Sequence, residues 1–123
     1  MALTGHYLIT GAASGIGAAT AKKIAGPNCT LILQTKSNVT GLNEIAEHCR
    51  AKSAQVITIQ ADLTDRADTQ RLIDNCLQQS NSLNGVVSTA GYPDWGNFEQ
   101  LDEESLIQSM LLMQQSTFML LKH

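Results

Sequence analysis

Eight residues, Thr10-Gly11-Ala12-Ala13-Ser14-Gly15-Ile16-Gly17, constrain this chain more than any others. They follow a short apolar stretch, Tyr7-Leu8-Ile9, and precede a helix-forming segment at 18–25. A glycine-rich turn between a strand and a helix is a device for holding phosphate. Small residues let the backbone approach a pyrophosphate, and the N–H groups of the helix's first turn point at its oxygens. The helix dipole adds an attraction of about 0.3–1 kcal/mol for an anion. The run therefore points to a nucleotide as the ligand.

Apolar and helical segments alternate along the whole chain. Strands are predicted at 6–10, 29–35, 54–60 and 84–89, and helices at 15–25, 39–52, 65–80 and 102–123. Gly26-Pro27-Asn28 stops the first helix, because glycine suits a C-terminal cap and proline cannot continue the helix. In the second helix Leu42, Ile45, Ala46 and Cys49 recur at helical spacing. Thr64 or Asp65 is placed to cap the third, and Asp102 the fourth. A loop is expected at 90–98. Four strand–helix units predict an α/β fold, a doubly wound parallel sheet of the Rossmann type with strand order 3-2-1-4. One dinucleotide-binding domain is expected to fill 1–123, with its ligand at the carboxyl ends of strands 1 and 4.

Bulk properties narrow the partners. The chain has 123 residues, 43% of them hydrophobic, with a formal net charge of −3. That charge disfavours nonspecific binding to nucleic acid or to an anionic membrane. The sequence has no leader-like start and no apolar run that would cross a bilayer, so a cytoplasmic location is expected. Cys29, Cys49 and Cys76 are widely spaced and form no C-x-x-C pair. His6, His48 and His123 are equally scattered. Neither a disulfide framework nor a metal site is expected.

Four landmarks together resemble the short-chain dehydrogenase/reductase family. Residues 10–17 match its T-G-x-x-x-G-x-G turn, Asp62-Leu63 follow the third strand, and Ser88-Thr89-Ala90-Gly91 resemble its N-N-A-G. The fourth is the last helix, running into Thr117-Phe118-Met119-Leu120. The resemblance implies a role for each position. Gly11 permits the tight turn, Gly15 admits the pyrophosphate, and Gly17 lets helix and strand pack closely. Ser14 offers its hydroxyl to a phosphate and Ile16 its backbone N–H. The Asp62 carboxylate and Leu63 N–H would meet the adenine, while Ala90 and Gly91 would pass under the ribose. Thr10 would tie the first turn to the fourth-strand turn.

The resemblance also implies a nicotinamide cofactor. An NAD-selective site places an acid at the end of the second strand. Here the stretch reads Leu33-Gln34-Thr35-Lys36-Ser37-Asn38, with Lys36 where NADP-using relatives carry a base. NADP is therefore expected, with NAD the other possibility. The implied activity is hydride transfer between the nicotinamide and a carbonyl or alcohol, by a small-molecule oxidoreductase.

The family's catalytic serine and Y-x-x-x-K pair are expected to lie beyond these residues. Gly11 stands four positions after Tyr7, and Gly96 four after Tyr92. No catalytic residue is assigned, and a fragment inactive by itself is expected. Met113 stands where relatives often carry an asparagine that bends the last helix, and Ser88 replaces the first asparagine of N-N-A-G. These departures suit an alternative, a non-catalytic nucleotide-binding or scaffolding relative. Leu106, Met110, Met113, Thr117 and Leu121 form a stripe extended by Ile107, Leu111 and Phe118. The stripe is either the sheet-facing core or, as in the family, a contact with a second copy of the chain.

Overall fold

Buried side chains alternate along the strands. Leu8 faces one side of the sheet and Ile9 the other; Leu31 and Leu33 share the second side, and Ile32 returns to the first. A strand apolar on both faces must be covered on both, which is the condition that selects a parallel sheet between helical layers. The computed structural model describes residues 3–79, 83–91 and 98–122. Its four strands are β1 (Gly5–Thr10), β2 (Cys29–Thr35), β3 (Gln55–Gln60) and β4 (Gly85–Ser88). All pair in parallel, in the order β3-β2-β1-β4 that the sequence predicts.

Helices α1 (Gly15–Ile24) and α2 (Val39–Arg50) follow β1 and β2. They close one face through Ala18, Ala21, Ile24, Leu42, Ile45, Ala46 and Cys49. On the other face, α3 (Arg66–Gln79) brings Leu72, Ile73 and Cys76 onto Leu8, Ile32 and Ile59. Burying each Leu or Ile stabilises the fold by about 1.5–3 kcal/mol. Asp65 caps α3, its carboxylate accepting from Ala67 N–H at 2.8 Å. The expected loop at 90–98 falls, for 92–97, outside the described residues.

The last helix departs from expectation. In place of one regular α-helix there are α4 (Glu103–Met110), a π-helical turn (Leu111–Gln115) and α5 (Ser116–Lys122). Asp102 caps α4 as expected, accepting from Ser105 N–H at 2.7 Å. At the π turn, Ser116 N–H reaches back five residues to the Leu111 carbonyl. The Ser116 hydroxyl donates to the Leu112 carbonyl, which that N–H would serve in a regular helix. The helix is thus interrupted without the asparagine that the family resemblance associates with a bend there.

The π turn also decides which face is buried. Ser116, Met119 and Leu120 are buried, and Leu112 packs against the same cluster. The stripe residues Leu106, Met110, Met113 and Leu121 are exposed, as are Ile107 and Phe118. The stripe is therefore not the sheet-facing core. Among the described residues, no helix is long and apolar enough to cross a membrane.

Candidate functional site

The turn between β1 and α1 folds around its glycines. Gly15 has φ +57°, and a Cβ built there would meet no atom within 4 Å. Its conformation favours glycine, and the space beside it is open. Gly17 is different: a Cβ would strike the Gly11 carbonyl and stand 2.6 Å from Thr89 Oγ1. That close approach locks the start of α1 against the end of β4.

Thr10, completely buried, makes the same junction from the strand side. Its hydroxyl oxygen accepts from Thr89 N–H at 3.2 Å, and its carbonyl accepts from the Thr89 hydroxyl at 2.6 Å. The first turn and the fourth-strand turn are thereby tied together.

The amino end of α1 is left uncapped. Ser14 is extended, with φ −159° and ψ 172°, and its side chain makes no capping bond. No acid stands in the first turn. By contrast α2 is capped by Asn38, and α3 and α4 by aspartates. Uncapped N–H groups and an uncompensated dipole suit an anion.

They open into a cleft of about 630 Å³ at the carboxyl ends of the strands. One wall is Gly11, Ser14, Gly15, Ile16 and Gly17; the second strand contributes Gln34 and then Lys36. Asp62, Leu63 and Thr64 line it after β3, and Thr89, Ala90 and Gly91 after β4. Gln108 of α4 and Leu112 of the π turn complete it.

The Asp62 carboxylate accepts from the Thr64 hydroxyl at 2.6 Å and from Thr64 N–H at 2.9 Å, both through Oδ1. The Thr64 hydroxyl holds this carboxyl below its usual range; partial burial opposes it, and the Thr64 N–H and the Lys36 charge assist. Asp62 thus enters the cleft as an oriented anion. Elsewhere burial raises the Cys29 and Cys49 thiols and pushes Cys76 up to about 11, which leaves these buried thiols poor nucleophiles.

Most residues singled out in the sequence meet here. Gly11, Ser14, Gly15, Ile16, Gly17, Lys36, Asp62, Leu63, Ala90 and Gly91 line this single cleft. Thr10 stands behind it. Ser88 does not line it; its hydroxyl lies 3.2 Å from Thr117 Oγ1 and links β4 to α5. Sequence reasoning missed Gln34, Thr64, Thr89, Gln108 and Leu112. Gln34 had a legible signal, a lone amide inside an apolar strand beside the glycine turn. Gln108 had none.

Comparison with known proteins agrees with the fold. A family model described as short chain dehydrogenase matches residues 6–123. Sepiapterin reductase of Chlorobaculum tepidum is 34% identical over 119 residues, covering 92% of this chain and 49% of that protein. A short chain dehydrogenase of Burkholderia cenocepacia in complex with NADP matches with a TM-score of 0.88 at 22% identity, covering 94% of this chain and 47% of that one. An NADH-dependent reductase complexed with NAD matches at 0.83 and 25% identity, over 97% and 50% respectively. The chain thus spans about half the length of each of these three proteins.

Proposed function

The chain belongs to the short-chain dehydrogenase family, and from that footing we propose that its cleft holds a nicotinamide cofactor for an oxidoreductase acting on a carbonyl or alcohol. The observation that carries this reading is the uncapped start of α1, with open space at Gly15, facing a cleft whose walls come from all four strand ends. When bound, the cofactor supplies or accepts hydride. This chain's residues bind and orient it. Ser14 and the first-turn N–H groups take the pyrophosphate, Asp62 and Leu63 the adenine, and Ala90 and Gly91 the ribose. Thr10 and Thr89 hold the two turns at fixed separation.

The preferred cofactor is NADP. Lys36 supports this, as the cation that lines the cleft at the end of β2. Asp62, the acid lining the same cleft, has one oxygen committed to Thr64. NADPH fluorescence titration tests the assignment, with NADH in parallel. Tighter binding of NADPH is expected, and Lys36→Asp should lower the preference by at least about tenfold, the equivalent of one lost charge contact. An unchanged ratio would overturn the NADP assignment.

The groups that act on substrate are proposed to lie outside these residues, so this chain is expected to bind cofactor without turnover. Buried free thiols suit a reducing, cytoplasmic setting. The exposed stripe of the last helix suits a contact with a second copy of the chain. A non-catalytic nucleotide-binding role is the second reading. It is favoured by the π turn, whose one residue in the cleft lining is the apolar Leu112. Cofactor oxidation by a longer chain, given a panel of ketones, separates the two.

A further inference from the structure

Gln34 sits in β2, between the strand that leads to the glycine turn and the strand that leads to Asp62. It is 2% exposed. A buried amide must satisfy both its ends, and this one does so by spanning the sheet. Its Oε1 accepts from Gly11 N–H at 2.9 Å. Its Nε2 donates to the Ala61 carbonyl at 2.7 Å. Its own backbone carbonyl accepts from Ala12 N–H at 3.0 Å. The amide's orientation follows from its partners, since one is an obligate donor and the other an obligate acceptor.

The geometry points to Gln34 as a positioning residue that clamps the phosphate turn to the adenine wall and thereby sets affinity for the adenosine half of the cofactor. Gly11 opens the turn that carries Ser14 and Gly15, and Ala61 immediately precedes Asp62. Both walls therefore bond to one side chain, and both line the cleft with it. Few side chains replace it. Leucine fills the volume but leaves a buried N–H and a buried carbonyl without these partners. Glutamate keeps the acceptor; only its protonated form can also donate to Ala61. The ionised form sets a carboxylate oxygen against a carbonyl. The ligand's identity rests on the nicotinamide reading above; the clamp itself does not.

Calorimetric titration of wild type, Gln34→Leu and Gln34→Glu with NADP and with adenosine 2′,5′-bisphosphate tests the inference. Gln34→Leu is expected to weaken both ligands by on the order of tenfold, because two buried partners are left unsatisfied. Burial and the facing Ala61 carbonyl both raise a carboxyl placed here, so Gln34→Glu should bind closer to wild type at pH 5.5 than at pH 8.5. Lys36 and Asp62 are common to wild type and variant, so the ratio of their affinities isolates residue 34. Amide exchange at Gly11 should quicken in Gln34→Leu whether or not ligand binds.

Wild-type affinity in Gln34→Leu, or unchanged exchange at Gly11, would overturn the clamp. Failure of wild type to bind either ligand would overturn the nicotinamide reading, and exchange at Gly11 would still decide the clamp. If Gln34→Leu does not fold, the pH dependence of Gln34→Glu decides it: a flat ratio to wild type contradicts the clamp.

Discussion

Gly15 and Gly17 stand two residues apart and answer to different constraints. Gly17 is required by the protein, because a methyl there meets Gly11 and Thr89. Gly15 meets nothing of the protein, and its constraint is φ +57° together with the open cleft. Gly17→Ala is expected to cost about 1–3 kcal/mol of stability through forced displacement of α1. Gly15→Ala should cost about 1–2 kcal/mol, the left-handed penalty, but should weaken cofactor binding far more than that. Urea denaturation and cofactor titration of both variants check this; equal binding losses at matched stability would contradict it. These glycines were legible in the sequence because their spacing is a local pattern. Gln34 was harder to assign, since its role depends on Ala61, a residue 27 positions away that only strand pairing brings near. Thr64 was read as a candidate cap, whereas its hydroxyl serves Asp62.

Strands and the first three helices followed from period and capping, with ends shifted by a residue or two, because local chemistry decides them. Asn38, Asp65 and Asp102 each cap a helix through a side chain and a backbone N–H a few residues away. The π turn was not legible. Across it, α4 presents Gln108 to the cleft while α5 presents Met119 and Leu120 to the core that α3 covers. One extra residue rotates the helix by about 100°, which reconciles such faces. Ser116 supports the turn by serving the Leu112 carbonyl. Ser116→Ala is expected to lose about 1 kcal/mol in chemical denaturation, the ordinary worth of one buried hydrogen bond. No loss, with the helix content by circular dichroism unchanged, would contradict that role.

The strand order of the whole molecule was legible because right-handed crossovers and a glycine turn on the first strand leave few arrangements. The fate of the apolar stripe was not, since periodicity cannot say which of two apolar faces meets the sheet. The structure leaves Leu106, Ile107, Met110, Met113, Phe118 and Leu121 each about half exposed or more, at 49–70%. Exposed apolar patches mark contact surfaces or aggregation liabilities. Sedimentation of the isolated chain is expected to show concentration-dependent association, reduced by the pair Leu106→Lys and Phe118→Lys. A clean monomer with a sharp, reversible thermal transition would contradict it. The proposed cofactor cleft is tested most directly by mapping backbone amide shifts as NADP is added to labelled protein. The largest changes are expected at Gly11, Ser14 to Gly17, Lys36, Asp62, Leu63, Ala90 and Gly91. Saturating ligand that moves none of these amides, or moves only those of α2 and α5, would contradict a nicotinamide site at the strand ends.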